Sequence, residues 1–273
     1  MSLPDNVFPI RARHGGRLWP TMFPSKALDR RCNVFIYTPP GVGPASPKLA
    51  ELPVLYLLHG MWGSEIDWPF KGDAHNILDR EIRAGRCPPI IVAIPHDGLE
   101  DEGTFYCDWH DGPRFERYMA VDLRRFVEVD TLGRMRPPSQ RLIAGLSMGG
   151  FGALMLSLRN PKLFGAAGSL SGAVRPIGRP RSRTLGERIF GPLSDDPSSY
   201  RRQRDPGVLI DDPARTRGLG LYLDCGRDDY LLTMNRKFHA RLERLGVEHV
   251  YREYQGDHTW PSWRKRLPHL LRF

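Results

Sequence analysis

Pro53-Val-Leu-Tyr-Leu-Leu58 and Pro89-Ile-Ile-Val-Ala-Ile94 are apolar runs with no polar residue at alternate positions. A strand with one wet face would alternate, so these runs predict strands covered by helices on both faces. Arg141–Ala144, Ala166–Leu170 and Leu219–Asp224 are further central candidates, and Asn33–Thr38, which stops at Pro39-Pro40, reads as an outer strand. Gly41 to Pro47 is rich in Gly and Pro and reads as a loop. Helical patterns lie between the strands at Ala74–Ala84, Phe115–Val129, Gly150–Leu158, Leu231–Leu245 and Trp263–Leu271. The alternation predicts the α/β class, with a mostly parallel central sheet, right-handed crossovers and helices on both faces. With 273 residues, 40% of them hydrophobic, the chain can bury a substantial core, and one domain over 1–273 is expected. Only the Arg- and Pro-rich excursion over 175–212 fits the alternation poorly. It reads as a short helical lid or a surface insert.

Several function classes lose support at this level. No apolar run approaches the roughly 20 residues that a membrane span needs. The segment Met1-Ser-Leu-Pro-Asp-Asn lacks the charged-then-apolar order of a secretory leader, so a cytoplasmic location is expected. The four cysteines, Cys32, Cys87, Cys107 and Cys225, form no C-x-x-C pair and read as reduced structural thiols. The histidines are scattered without metal-ligand spacing, so no metal site is expected. The net charge of +9 is carried mainly by arginine, densest from Arg175 to Arg188. That run lies among Pro and Gly and shows neither recognition-helix periodicity nor interleaved aromatics, so no nucleic-acid partner is expected.

Gly145-Leu-Ser-Met-Gly-Gly150 follows one predicted strand and opens a predicted helix. Strand, tight turn and helix around G-x-S-x-G make a nucleophile elbow, in which Ser147 takes a strained conformation and the flanking glycines remove clashing side chains. A serine hydroxyl needs an imidazole as base and an acid that fixes the imidazole's tautomer. The turn Cys225-Gly-Arg-Asp-Asp-Tyr230, after a late strand, offers Asp229 as that acid, with Asp228 as its rival. The strand pattern Glu248–Tyr254 then leads into Gln255-Gly-Asp-His-Thr-Trp260, which offers His258 as the base. The order Ser, Asp, His suits a serine hydrolase on a parallel sheet. His59-Gly-Met-Trp-Gly63 ends a predicted strand, which makes the backbone N–H of Met61 a second oxyanion donor beside that of Met148. His59 itself reads as structural. Among the aromatics of these loops, which include Trp68, Phe105, Tyr106, Trp260 and Trp263, Trp62 and Trp109 are the candidates for lining a substrate pocket.

These residues resemble the esterase family of α/β-hydrolases that includes esterase D (S-formylglutathione hydrolase), tributyrin and feruloyl esterases, and mycolyltransferases. The resemblance runs from about Asn33 to Trp263. It rests on Leu57-Leu-His-Gly-Met61, Ile94-Pro-His-Asp-Gly98, Thr104-Phe-Tyr-Cys-Asp-Trp109, the serine elbow, Gly165-Ala-Ala-Gly-Ser-Leu-Ser-Gly172 and Asp257-His-Thr-Trp260. It implies the α/β-hydrolase fold and hydrolysis of a small-molecule carboxylic ester or thioester without cofactor or metal. It also implies Ser147 as nucleophile, Asp229 as acid, His258 as base, and the Met61 and Met148 amides as the oxyanion hole. The expected function is therefore a serine carboxylesterase working through an acyl-enzyme. An acyltransferase or a peptidase using the same residues, or a non-catalytic binding domain on the same fold, remains an alternative at this stage, and a homo-oligomer is left open.

Overall fold

The computed structural model describes residues 8–44, 46–98, 103–174, 183–193, 196 and 198–273. Among them, nine strands form one mixed sheet: β1 (Ile10–Arg11), β2 (Arg17–Ser25), β3 (Arg30–Thr38), β4 (Val54–Leu58), β5 (Ile91–Pro95), β6 (Arg141–Leu146), β7 (Ala166–Leu170), β8 (Gly220–Gly226) and β9 (Val250–Tyr254). The spatial order is β1-β2-β3-β5-β4-β6-β7-β8-β9. From β5 to β9 every neighbouring pair is parallel, while β1, β2 and β3 extend the sheet antiparallel beyond β5.

The parallel strands are buried end to end where the apolar runs predicted it: all five residues of β4 and of β5 are buried. Alternate residues feed two separate cores. Val54, Tyr56 and Leu58 join the cluster beneath the helix Met148–Arg159, and Leu55 and Leu57 join the one beneath the helices Ala74–Arg83 and Trp260–Leu271. That is the pattern of a sheet covered on both faces.

Two expectations change. Asn33–Thr38 is not an outer strand: β3 is paired along its whole length with β2 on one side, and over Val34–Tyr37 with β5 on the other. The sequence hid β2 because Pro20 and Pro24 interrupt it, and proline inside an apolar run argues against a strand. Among the described residues β1 pairs only with Arg17 and Leu18 of β2, so on that edge neither proline faces a described strand. The predicted helix Phe115–Val129 is α-helical over Phe115–Arg117 and again at Arg124 and Arg125, and runs in wide π-type turns over Tyr118–Leu123 and Phe126–Thr131.

Of the 175–212 excursion, residues 175–182, 194, 195 and 197 lie outside the described residues. The described part contains the helices Arg183–Phe190 and Pro206–Leu209. Its Phe190 ring packs edge-on against Phe105 and Phe151, so this part is anchored in the core against the helix Met148–Arg159. No helix among the described residues is long and apolar enough to cross a membrane.

Candidate active site

The parallel strands place their carboxyl ends along one rim, where α/β sheets present ligand-binding loops. In register, Leu58 of β4 sits beside Gly145 of β6, Leu146 beside Leu170 of β7, Leu170 beside Asp224 of β8, and Gly226 beside Tyr254 of β9. The loops leaving these strand ends carry Met61, Ser147, Ser171, Asp229 and His258. Residues far apart in the chain are thereby brought to a common site by sheet order alone.

Ser147 lies between β6 and the helix Met148–Arg159 with φ +52° and ψ −115°, a conformation that costs an ordinary side chain of order 1–3 kcal/mol. The surroundings enforce it. The Ser147 N–H donates to the Leu170 carbonyl at 3.0 Å, and the Ser147 carbonyl accepts from Ala173 and Phe151. A Cβ on Gly145 would stand 2.6 Å from the Gly149 backbone, and one on Gly149 would stand 2.5 Å from the His59 carbonyl oxygen. Backbone cannot yield as a flexible side chain can. The two glycines of the elbow are therefore required for the turn to lie this close to β4.

The Ser147 hydroxyl is 2.9 Å from His258 Nε2, and His258 Nδ1 is 2.9 Å and 3.0 Å from the two Asp229 carboxylate oxygens. The Asp229 side chain is fully buried and that of His258 is 15% exposed. Burial works to raise the Asp229 pKa, but hydrogen bonds from His258, from the Ser171 hydroxyl and from the Leu231 N–H outweigh it and hold the carboxyl below its ordinary value. Asp229 is thus a carboxylate, which fixes the Nδ1–H tautomer and turns a bare Nε2 toward the serine. Asp228 is not in this chain of contacts: it accepts from the Gln255 side chain at 2.6 Å.

His59 is fully buried. Its Nδ1–H donates to the Gly60 carbonyl at 2.8 Å, and its Nε2 accepts the Asp97 N–H at 3.3 Å. The ring is a brace for the loop after β4, as its reading as a structural residue requires. Tyr106 adds a second brace, its hydroxyl donating to the His59 carbonyl at 3.0 Å. A Cβ on Gly152 would stand only 2.5 Å from the Tyr106 ring, so this tyrosine is wedged against the serine-bearing helix.

Met61, Met148 and Ser147 line one pocket of about 550 Å³, together with Gly60, Trp62, Phe105, Tyr230, His258, Trp260 and Trp263. The Met148 N–H is the first of its helix and has no acceptor within it. Trp62 is in this wall with φ +60° and is 62% exposed. Trp109 is not. It is 2% exposed, donates Nε1–H to the Thr104 carbonyl at 3.3 Å, and packs against Phe115 with the Arg188 guanidinium over its face. Its ring fills the core beneath the loop, and Phe105 of the same segment faces the pocket instead.

Sequence reasoning left out Tyr230, whose ring centroid is 4.5 Å from that of His258, and gave no role to Trp263, which meets His258 edge-on at 4.9 Å. Tyr230 follows Asp229 directly, so the acid's turn was a readable signal for it. Among the described residues, no group of three or more His, Cys, Asp or Glu side chains is arranged to hold a metal ion.

A sheet of this order with a serine elbow at the carboxyl end of β6 defines an α/β-hydrolase fold. The model of the family described as "Putative esterase" matches residues 25–273, and the chain belongs to that family of ester-hydrolysing enzymes. The chain is 30% identical over 231 residues to an acetyl esterase of Caldicellulosiruptor saccharolyticus, covering 80% of this chain and 81% of the relative. It is 25% identical to the diacylglycerol acyltransferase/mycolyltransferase Ag85A of Mycobacterium ulcerans, over 80% of this chain and 72% of that one. A solved ferulic acid esterase superimposes with a TM-score of 0.79 at 26% identity, covering 96% of this chain and 98% of its own.

Proposed function

We propose that the protein is a serine carboxylesterase that cleaves carboxylic esters or thioesters through an acyl-enzyme. The observation that carries this reading is the unbroken set of contacts from Ser147 through His258 to Asp229, all within 3.0 Å. His258 Nε2 takes the Ser147 proton as the hydroxyl oxygen attacks the ester carbonyl. Asp229 holds the imidazole and stabilises the imidazolium that forms. The Met148 and Met61 amides receive the oxyanion, the former aided by the positive end of its helix. The imidazolium then protonates the leaving alcohol or thiol. Water, deprotonated by the same imidazole, releases the acid.

The apolar wall of Phe105, Trp62, Trp260 and Trp263 favours an acyl or aryl group over a highly charged one at the reacting end. Hydrolysis of a p-nitrophenyl ester series from acetate to decanoate, compared with Ser147→Ala, tests the assignment. The expected result is turnover by the wild type that falls by on the order of 10^5-fold or more in the variant. Equal turnover by both would end the reading.

A further inference from the structure

A second cavity, of about 560 Å³, adjoins the active-site pocket, and Tyr230 lines both. Tyr230 lies against the base, its ring centroid 4.5 Å from that of His258. From there the cavity runs along the helix Leu232–Arg244, past Thr233, Met234, Lys237, Arg241 and Arg244. Spacings of three and four residues put Lys237, Arg241 and Arg244 on one helix face. At about 1.5 Å of rise per residue, these three stand roughly 6, 12 and 16 Å along the axis from Thr233.

The lining combines an apolar floor with a cationic rim. Val174 and Phe238 are buried, while Lys237 and Arg244 are exposed. Arg202 joins the rim from the 175–212 excursion. Among the described lining residues, four cations, Arg202, Lys237, Arg241 and Arg244, stand against one carboxylate, Asp205. That carboxylate caps the helix Pro206–Leu209 by accepting the Gly207 N–H at 2.8 Å. Arg241 is paired with Asp211 at 2.6 Å, whereas Arg202, Lys237 and Arg244 form no ion pair among the described residues. Arg202 Nε is also buried without an acceptor there. A cleft lined by one sign of charge over apolar walls focuses its field and concentrates ligands of the opposite sign.

The leaving oxygen or sulfur takes its proton from His258, so that half of the substrate lies against the imidazole and the Tyr230 ring beside it. We propose that the cavity beyond Tyr230 is the leaving-group site, and that it takes an alcohol or thiol whose apolar stem ends in a carboxylate or phosphate. The stem lies over Val174 and Phe238, and the anionic end meets Lys237, Arg241 and Arg244. The inference rests on the esterase reading for its assignment to the leaving group, though not for the anion site itself.

Three acetyl esters with one stem length test it: ω-acetoxyoctanoate, ω-acetoxyoctyl phosphate and the neutral ω-acetoxyoctanol. At low ionic strength kcat/KM for an anionic ester should exceed that for the neutral one about tenfold, chiefly through KM. The advantage should shrink as salt is added. The double variant Lys237→Glu with Arg244→Glu should bring the ratio to one or below, and the neutral ester read on the same variant separates loss of the site from loss of the fold. The larger of the two ratios tells carboxylate from phosphate as the preferred end. Equal kcat/KM for anionic and neutral esters, or an advantage that survives in the double variant, would overturn the proposal. Amide NMR shifts at Lys237 and Arg244 on adding ω-hydroxyoctyl phosphate, with octanediol as the neutral control, read binding without turnover. Shifts with the phosphate alone in a folded protein that cleaves no ester would count against the esterase reading while supporting the anion site. Neither turnover nor shifts would remove both.

Discussion

At the scale of single residues, the site separates neighbours that the sequence could only rank. Asp228 and Asp229 are adjacent carboxylates in one turn, yet only Asp229 points at His258, while Asp228 lies at the surface with Gln255. Asp229→Asn leaves the shape and removes the charge that sets the imidazole tautomer, so kcat for ester hydrolysis should fall about 10^3- to 10^4-fold. Asp228→Asn should leave it within about twofold, and steady-state kinetics on one p-nitrophenyl ester checks both. The meeting of Ser147, His258 and Asp229 was legible because each carries a local signal: a glycine-flanked elbow, and turns that follow strands. The meeting of Ser171 with Arg266 was not, because nothing in either local sequence reports a contact across 95 residues. Trp109 misled for a related reason. Aromatics near a site share a composition whether they face the cavity or the core, and only packing separates Trp62 from Trp109.

At the scale of elements, the parallel strands were readable and the antiparallel extension was not. Unbroken apolar runs mark a strand buried on both faces, but β2 carries Pro20, Pro24 and Arg17 and announces itself only through its pairing with β3. The far end of β6 shows how a buried charge anchors an element away from the chemistry. Glu128 is fully buried and accepts Arg141 Nη2 at 2.7 Å, Arg141 Nε at 2.5 Å, the Arg136 N–H at 2.7 Å and the Tyr56 hydroxyl at 3.0 Å. Burial first, and then the Glu128 charge, pushes the Tyr56 hydroxyl well above its ordinary pKa, so it stays a donor. Glu128→Gln leaves the Arg141 guanidinium, 2% exposed, without its counter-charge. Such a break costs about 3–5 kcal/mol. Urea denaturation should show a lower midpoint with an unchanged slope, while kcat of the folded variant stays near wild type because the pair lies at the opposite end of β6 from Ser147.

At the scale of the whole molecule, the rims of the sheet's helical layers are tied by ion pairs that acid will release. Glu81, on the helix Ala74–Arg83, is held down to about 2, first by Arg86, with burial opposing and Arg272 and Arg80 adding to the effect. Glu253 of β9 is likewise held down to about 2, chiefly by Arg236. A carboxyl whose folded-state pKa is depressed stabilises the fold above its ordinary pKa, and that contribution is lost as pH falls toward the folded value. Both contributions are therefore complete above about pH 5 and disappear between about 4.5 and 2. Asp224 runs the other way. Burial lifts it to about 6 despite Arg266, so its ionisation costs stability as pH rises from about 4 to 6. Thermal unfolding followed by circular dichroism should show Tm dropping steeply below about pH 4.5, and Glu81→Gln should lower Tm at pH 7 while flattening that acid limb. An unchanged acid limb in Glu81→Gln would remove Glu81 from this account.

If Ser147 is the activated nucleophile of an esterase, it is open to covalent capture. The protein is treated with a fluorophosphonate and its adduct located by intact-mass and peptide mass spectrometry, beside Ser147→Ala and Asp229→Asn. One adduct per chain is expected on Ser147, none in Ser147→Ala, and much slower labelling in Asp229→Asn. A folded wild-type protein that stays unmodified, or carries its adduct on another residue, would overturn the role of Ser147 as nucleophile.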